Sequence, residues 1–223
     1  MSWGVRRNGC SALLVALVLI GTLAAQVSWG QAESPRREQL IPILAVTTGA
    51  SAIGAVIHIV VAFEERPDQS GLNVIFHTTP GRFTSLAQTA IQDAVVHAAW
   101  SLDLSSDFWT VALTVPYPDM TIGSDSLSGM VARSVLLMLA QGLPVPFHTV
   151  LIGTITPDGS IAPVGAVPLK LAAAHTANIR RVLVSDRQMA REDHIRMSSS
   201  MQIYPVQSVK EAFERIMTTS SIP

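Results

Sequence analysis

The sequence predicts an α/β (α+β) domain in which a β-meander is followed by alternating helices and strands. The first strand-forming runs follow one another with no helical period between them. From residue 84 onward, apolar residues at helical spacing alternate with runs rich in Val and Ile. Strands first and mixed elements afterwards are typical of one domain of this class. The chain has no internal repeat and no low-complexity segment.

Residues 1–32 have the three-part pattern of a signal peptide. Arg6 and Arg7 precede an apolar stretch over 12–25 (ALLVALVLIGTLAA), and small residues up to Ala32 provide a cleavage end. The apolar stretch is shorter than the roughly 20 residues that a membrane-spanning helix needs. We therefore expect an exported protein, periplasmic or secreted. The alternative is an uncleaved membrane anchor formed by residues 12–25.

The composition of residues 33–223 excludes several classes of function. All 16 acidic residues of the chain lie in this part, and its net charge is negative, so it has no electrostatic footprint for nucleic acid. The single cysteine, Cys10, precedes it, which excludes disulfides and thiolate metal sites there. The six histidines form no i, i+4 pair and no HExxH motif, and no glycine-rich phosphate loop follows a strand. We predict no metal, no nucleotide and no cofactor.

Three strands are predicted at the start of this domain. Residues 40–46 (LIPILAV) and 55–63 (AVIHIVVAF) are rich in Val and Ile, and the turn-like TTGASAIG joins them. After a second turn, residues 72–78 (LNVIFHT) complete the predicted β-meander.

Helices and strands then alternate to the end of the chain. Their bounds follow from apolar periodicity, from caps and from Gly or Pro at element ends. The predicted elements are a helix over 84–102 with Thr84 or Ser85 as N-cap, a strand over 108–118, a helix ending at Ala140, a strand over 149–156, a turn at 157–160, a helix over 168–178, strands over 180–185 and 201–206, and a helix from Ser208 to Met217.

The stretch SDSLSGMVARSVLLMLAQG, residues 124–142, places serines directly ahead of a long apolar helix. In one interpretation, Asp125, Ser126 or Ser128 is simply a cap whose side-chain oxygen accepts an orphan backbone N–H. In the other, one serine is a nucleophile, because N–H groups at a helix start hold an oxyanion and the macrodipole favours negative charge there. The residues alone leave both interpretations open.

A nucleophilic serine needs a base, and the chain contains only two lysines, Lys170 and Lys210. Lys210 lies in the charged segment SVKEAFERI, whereas Lys170 lies in the apolar segment GAVPLKLAAAH. Burial lowers the pKa of an ammonium group, as a general base near neutral pH requires. The alternative is a surface lysine with a solvated amine.

Residues 153–185 (GTITPDGSIAPVGAVPLKLAAAHTANIRRVLVS) resemble one segment of the proteolytic domain of the Lon family of Ser-Lys endopeptidases. That segment is a strand, a turn, P-[VI]-G-G-[VI]-x-x-K, a helix and a further strand. The serine stretch is similar to the family's D-G-P-S-A-G or G-D-S-A-S motif, and the first strands and helix match in order. The resemblance implies a Lon proteolytic-domain-like fold with Lys170 as the catalytic lysine.

The serine motif departs from the family pattern by one residue. If the family motif is aligned without a gap from Gly129 backwards, Leu127 takes the nucleophile's position. An aliphatic side chain cannot act as a nucleophile. One inserted residue puts Ser126 or Ser128 there instead. Asp125 followed by Ser126 reproduces the D-S of the family motif, so we favour Ser126.

Two further departures lie near the lysine segment. The family's glycine pair is Gly165-Ala166 here, and Ile152 replaces the threonine that often assists the lysine. These departures keep an alternative open, a catalytically inactive Lon-like domain that acts as a binding or assembly module.

The resemblance implies a stand-alone serine endopeptidase that hydrolyses peptide bonds in unfolded or exposed segments. Ser126 would attack the scissile carbonyl and neutral Lys170 would take its proton. The sequence shows no ATPase module, so we expect activity without ATP. Expected partners are a peptide or unfolded protein and, in a ring, further copies of the chain. Membrane contact is expected only if residues 1–32 are retained.

Overall fold

The structure is a computed structural model, and only part of the chain is described. The predictions for residues 1–32 lie outside the described residues. No helix within the described ranges is long and apolar enough to cross a bilayer. The described residues are 36–49, 51–140, 142, 144–189 and 200–219, with the side chains of 138–140 and 216–219 excepted.

Helices and strands follow one another largely as the sequence pattern predicts, with four short additional elements. The additional elements are short strands at Arg82–Phe83, Thr121–Ile122 and Ile161–Ala162 and a short helix at Asp186–Met189. In chain order, the described elements are β1 (Arg37–Val46), β2 (Gly54–Glu65), β3 (Asn73–Phe76), β4 (Arg82–Phe83), α1 (Ser85–Ser101), β5 (Trp109–Thr114), β6 (Thr121–Ile122), α2 (Ser128–Ala140), β7 (Thr149–Ile152), β8 (Thr154–Ile155), β9 (Ile161–Ala162), α3 (Val167–Thr176), β10 (Arg181–Ser185), α4 (Asp186–Met189), β11 (Gln202–Val206) and α5 (Val209–Thr219).

The arrangement of these elements confirms the α/β (α+β) fold class. One sheet has four strands in the order β1-β2-β5-β3, and a second sheet has three parallel strands in the order β11-β10-β7. Two short ladders pair β4 with β6 and β8 with β9. One continuous cluster of buried apolar side chains runs through both sheets and the helices α1, α2 and α3.

The predicted three-stranded meander is corrected in one respect. β1 and β2 pair antiparallel as expected, but β5 lies between β2 and β3, and β3 pairs with β5 in parallel. Alternate residues of β5, namely Trp109, Val111 and Leu113, are buried, whereas every residue of β3 is at least partly exposed. The strand with the more apolar face takes the central position, and β3 takes the edge.

The strand predicted over 149–156 is two strands that separate at Gly153. β7 joins the parallel sheet through β10, whereas β8 turns back at 157–160 and pairs antiparallel with β9. This short hairpin leads the chain into α3, which carries Lys170.

The central helix of the domain is α2. It packs against α1 and against strands of both sheets, and its side chains from Ser128 to Leu137 are all buried. A helix that is apolar on nearly every side belongs to the core. Its start is held close to the β7–β8 junction, because a Cβ atom at Gly129 would lie within 3 Å of the Gly153 carbonyl oxygen. The fold therefore fixes the position at which the serine stretch enters the core.

Candidate active site

A single pocket joins the serine stretch to the lysine helix. It has a volume of about 620 Å³ and is lined by the end of β1, by residues 120–127 and by the start of α3. Ser126 and Lys170 both line it, and Ser128 does not. Ser126 is 8% exposed and Ser128 only 1%. The structure thus places the two predicted residues in the lining of one pocket and leaves Ser128 outside that lining.

Ser126 lies in the turn that leads into α2. The helix begins at Ser128, and the carbonyl of Leu127 accepts the N–H of Val131, so Leu127 takes the position before the first helical residue. No capping bond to α2 comes from the Ser126 hydroxyl, which lies against another serine instead. The cap interpretation therefore does not describe Ser126 in this structure.

The hydroxyl beside Ser126 belongs to Ser124. The two Oγ atoms lie 2.8 Å apart, and the backbone N–H of Ser126 also donates to Ser124 Oγ, at 3.1 Å. The N–H of Ser128 donates to the carbonyl of Asp125 at 2.9 Å. Among the N–H groups of residues 126 to 128, only that of Leu127 has no partner in the described part of the chain.

Lys170 lies on the second turn of α3 and is 4% exposed. Burial lowers the pKa of its ammonium group, and the negative charge of nearby Asp125 raises it to a smaller extent. Burial is the larger effect, so the pKa is lowered overall and the neutral amine forms at a lower pH than in an exposed lysine. A neutral amine at this pocket is able to accept a proton.

The start of α3 has an unusual backbone conformation. Ala166, the residue before the helix, has φ +57°, in the left-handed region that an alanine adopts at a cost of roughly 1–2 kcal/mol. The preceding loop is held by the buried Gln188, whose Oε1 accepts the N–H of Val164 at 3.0 Å. On the other side, α3 packs on β2 at Gly54, where a Cβ atom would meet the carbonyl of Leu169. These contacts fix the direction in which Lys170 enters the pocket.

One wall of the pocket is apolar and ends in an open strand edge. Ile43, Leu44 and Ile57 contribute to this wall. The N–H of Thr47 donates to the carbonyl of Ile53 across the β1–β2 pair. In an antiparallel pair only every second residue of a strand bonds to the partner strand, so the N–H and C=O groups of Leu44 and Val46 point away from β2. Among the described strands, β1 is the outer one of its sheet, so these groups form an edge beside the serine stretch.

The sequence does not single out the Ser124 hydroxyl, which lies beside Ser126, or the Asp125 carboxylate as a charge that acts on Lys170. Both residues stand in the serine stretch, but no local pattern shows which of its side chains line a pocket with the lysine. Within the described ranges, no group of three or more His, Cys, Asp or Glu side chains is placed so that it could hold a metal ion.

Residues 84–219 match the family model described as the Lon protease (S16) C-terminal proteolytic domain. The chain belongs to this family. The Lon protease of Erwinia amylovora is 30% identical over 141 residues, which cover 60% of this chain and 18% of that protein. The Lon protease of Vibrio parahaemolyticus is 28% identical over 144 residues, which cover 61% of this chain and 18% of that protein. The chain therefore spans less than a fifth of the length of these curated relatives.

Membership of the Lon proteolytic-domain family confirms the resemblance and the fold expectation, and identifies peptide-bond hydrolysis as the general chemistry of the family. Ser126 and Lys170 both lie within the matched range, and their assignment stays a prediction. The matched range begins at residue 84, so β1 and β2, which contribute the apolar pocket wall, precede it.

Proposed function

We propose that this chain is a serine endopeptidase that works without ATP, with Ser126 as nucleophile and Lys170 as base. The observation that carries the proposal is the shared pocket: Ser126 and Lys170 line it together, while Ser128 lies outside its lining. Covalent hydrolysis requires a nucleophile and a base at one site, and a partly apolar pocket that both residues line provides such a site.

The reaction has two stages. Ser126 Oγ attacks the scissile carbonyl carbon while the neutral amine of Lys170 accepts the hydroxyl proton, which gives a tetrahedral oxyanion. Lys170 then passes this proton to the leaving amine nitrogen as the C–N bond breaks, and an ester to Ser126 remains. In the second stage Lys170 takes a proton from water, the hydroxide attacks the ester, and the proton returns to Ser126 Oγ.

Stabilisation of the oxyanion is assigned to the turn before α2. The Leu127 N–H has no partner in the described residues and lies at the helix start, where the macrodipole favours negative charge. The N–H groups of Ser126 and Ser128 are already engaged by Ser124 and Asp125.

The substrate is an extended, unfolded segment of polypeptide. The backbone groups of Leu44 and Val46 at the edge of β1 are able to pair with such a segment, while the apolar wall accepts an apolar side chain. Pro42 has no N–H and ends this edge on its far side. The sequence contains no phosphate-binding motif, so unfolding by ATP hydrolysis is not part of the proposal.

The pattern in residues 1–32 supports export to the periplasm or the exterior, with anchoring by residues 12–25 as the alternative. N-terminal sequencing of the protein recovered from cells distinguishes them, because cleavage after Ala32 leaves Glu33 first. Assembly into a ring is proposed from family membership and is tested by the mass of the protein in solution.

An inactive Lon-like binding or assembly module is the second candidate. Ile152 favours it, because a buried isoleucine at the end of β7 has no hydroxyl with which to assist a lysine.

Labelling with a fluorophosphonate, a serine-directed covalent probe, tests the proposed function. We expect one label per chain at Ser126, no label in Ser126→Ala, and full labelling in Ser128→Ala. A label on Ser128 would move the nucleophile by two residues. Absence of label in the wild type between pH 6 and pH 10, together with no cleavage of an unstructured peptide, would favour the inactive module.

The pH dependence of labelling is expected to follow Lys170. The neutral amine is the active form, so the rate rises with pH through the lowered pKa of Lys170. Asp125→Asn removes the charge that raises this pKa, so the midpoint of the rise is expected to move to lower pH. Asp93→Asn, at an exposed position on α1, is the control and should leave the midpoint in place. A midpoint that moves to higher pH in Asp125→Asn would contradict this assignment.

A further inference from the structure

Arg133 is a buried cation that the candidate active site does not use. It lies on α2 and is 4% exposed. Its Nη1 donates to the carbonyl of Thr149 at 3.2 Å and lies 3.5 Å from the sulfur of Met130. Its Nε and Nη2 atoms are buried and have no hydrogen-bond partner among the described residues. Buried polar groups in native proteins are nearly always hydrogen-bonded to protein or to ordered solvent, so two unpartnered donors on one side chain indicate a missing partner.

Arg133 also has no compensating charge. No carboxylate forms an ion pair with it in the described part of the chain. Burial lowers the pKa of its guanidinium to about 9, and the group is still positively charged at neutral pH. A buried charge is costly unless it is both paired and hydrogen-bonded. The missing partner should therefore carry a negative charge as well as accept hydrogen bonds.

The two unpartnered nitrogens are neighbours on one edge of the guanidinium group. In a planar guanidinium, the Nε–H and the adjacent Nη2–H form a rigid fork that is able to hold one acceptor with two hydrogen bonds. Nη1, which donates to Thr149, is the nitrogen outside this fork. A single acceptor therefore satisfies both unpartnered donors.

Arg133 lines a small cavity between α2 and α5. The cavity has a volume of about 10 Å³, and its other lining residues are all apolar: Leu136, Leu151, Ile155, Val209, Ala212 and Phe213. A cavity begins to hold one water-sized particle at about 10–15 Å³, so a phosphate, a sulfate or a carboxylate is too large. A water molecule would bring two O–H donors that no side chain of this lining accepts, whereas a halide ion has no proton to satisfy.

We propose that Arg133 binds a single halide ion, chloride in the first place, through its Nε–H and Nη2–H groups. The site is separate from the candidate active site, because neither Ser126 nor Lys170 lines this cavity. The ion compensates the buried charge of α2 where α2, β7 and α5 meet. These elements meet only in the folded chain, so the ion binds the folded state and stability should rise with chloride concentration.

Thermal melts in mixtures of sodium chloride and sodium gluconate test the proposal. Gluconate is too large for the cavity, and a constant ionic strength keeps the screening of surface charges equal. Arg133→Met keeps an apolar side chain of similar length without its donors or its charge. Arg82→Met is the matched control, because Arg82 is an exposed arginine whose Nε donates to Thr121 Oγ1 at 3.2 Å.

We expect the melting temperature of the wild type to rise by about 3–6 °C between gluconate alone and a chloride concentration ten times the Kd. Arg82→Met should show the same rise. Arg133→Met should show none, and its melting temperature in gluconate should equal or exceed that of the wild type, because an uncompensated buried charge has been removed.

Crystals of the wild type grown in sodium bromide provide a second measurement that does not depend on the folding of a variant. Bromide is close to chloride in size and has a strong anomalous signal. We expect an anomalous peak within hydrogen-bonding distance of both Nε and Nη2 of Arg133. If Arg133→Met does not fold, this peak and the chloride dependence of the wild type together decide the question.

The opposite results overturn the proposal in different ways. Equal melting temperatures of the wild type in chloride and in gluconate would leave a water molecule as the occupant, or a halide bound at crystal concentration only. A chloride-dependent wild type without a bromide peak at Arg133, or an equal rise in Arg133→Met, would place the ion elsewhere. Loss of the rise in Arg82→Met would indicate a general effect of charge.

Discussion

Lys170→Met is expected to abolish peptide cleavage while the protein stays folded. Methionine has a similar length and keeps the apolar contacts of the lysine stem, but it has no group that accepts the proton of Ser126. Loss of a general base lowers rates roughly 10²- to 10⁴-fold. The amine is buried, and burial disfavours its charged form more than the charge of Asp125 favours it, so removal of the amine should leave the melting temperature unchanged or raised. The measurements are kcat/KM on an unstructured peptide and a thermal melt.

Lys210→Met provides the matched control. Lys210 is the only other lysine of the chain, and it is exposed on α5. We expect wild-type cleavage from this variant. Residual cleavage by Lys170→Met within tenfold of the wild type would assign the proton transfer to another group. An equal loss in Lys210→Met would point to a general effect of charge.

Gly129→Ala is expected to lower the free energy of unfolding by about 2 kcal/mol. Two effects compete at this position. Alanine is favoured over glycine inside a helix by about 1 kcal/mol. The new methyl group would meet the Gly153 carbonyl oxygen closer than 3 Å, and a backbone carbonyl does not rotate away as a side chain does. The collision should outweigh the helix propensity, because α2 lies in the core and has no free direction in which to move.

A thermal melt of Gly129→Ala measures this effect, and a decrease of about 4–8 °C is expected for a domain of this size. Gly165→Ala is the control, because a Cβ atom at Gly165 has no neighbour within 4 Å and the melting temperature should not change. A Gly129→Ala variant as stable as the wild type would mean that the start of α2 shifts freely. The fixed position of Ser126 would then lose its physical basis.

The local elements of this chain were predictable because each is determined by neighbouring residues. Thr84 caps α1 as its sequence position indicates, and its Oγ1 accepts the N–H of Ala87 at 3.3 Å. The α3 helix and the strands after it also follow their apolar patterns. The order of strands in the first sheet was not predictable in this way. The insertion of β5 between β2 and β3 depends on which strand buries more apolar area, and that is decided between segments far apart in the chain.

The candidate site shows the same division. Lys170 could be selected from the sequence because lysine is rare in this chain and its surroundings are apolar. The choice between Ser126 and Ser128 could only be a preference, because both precede the same helix. In the folded chain Leu127 precedes the helix, Ser126 faces the pocket, and Ser128 enters the core. Rotation along a turn separates two serines that the sequence places almost together.

The sequence by itself determined the α/β class, the Lon resemblance, the lysine and the pair of candidate serines, because composition, periodicity and motif spacing are local properties. Only the tertiary structure decided which serine shares a pocket with Lys170, that Asp125 acts on the lysine, and that the Ser124 hydroxyl lies against Ser126. Those relations depend on distances between α2, α3 and β1. Packing sets such distances, and no short stretch of sequence contains them.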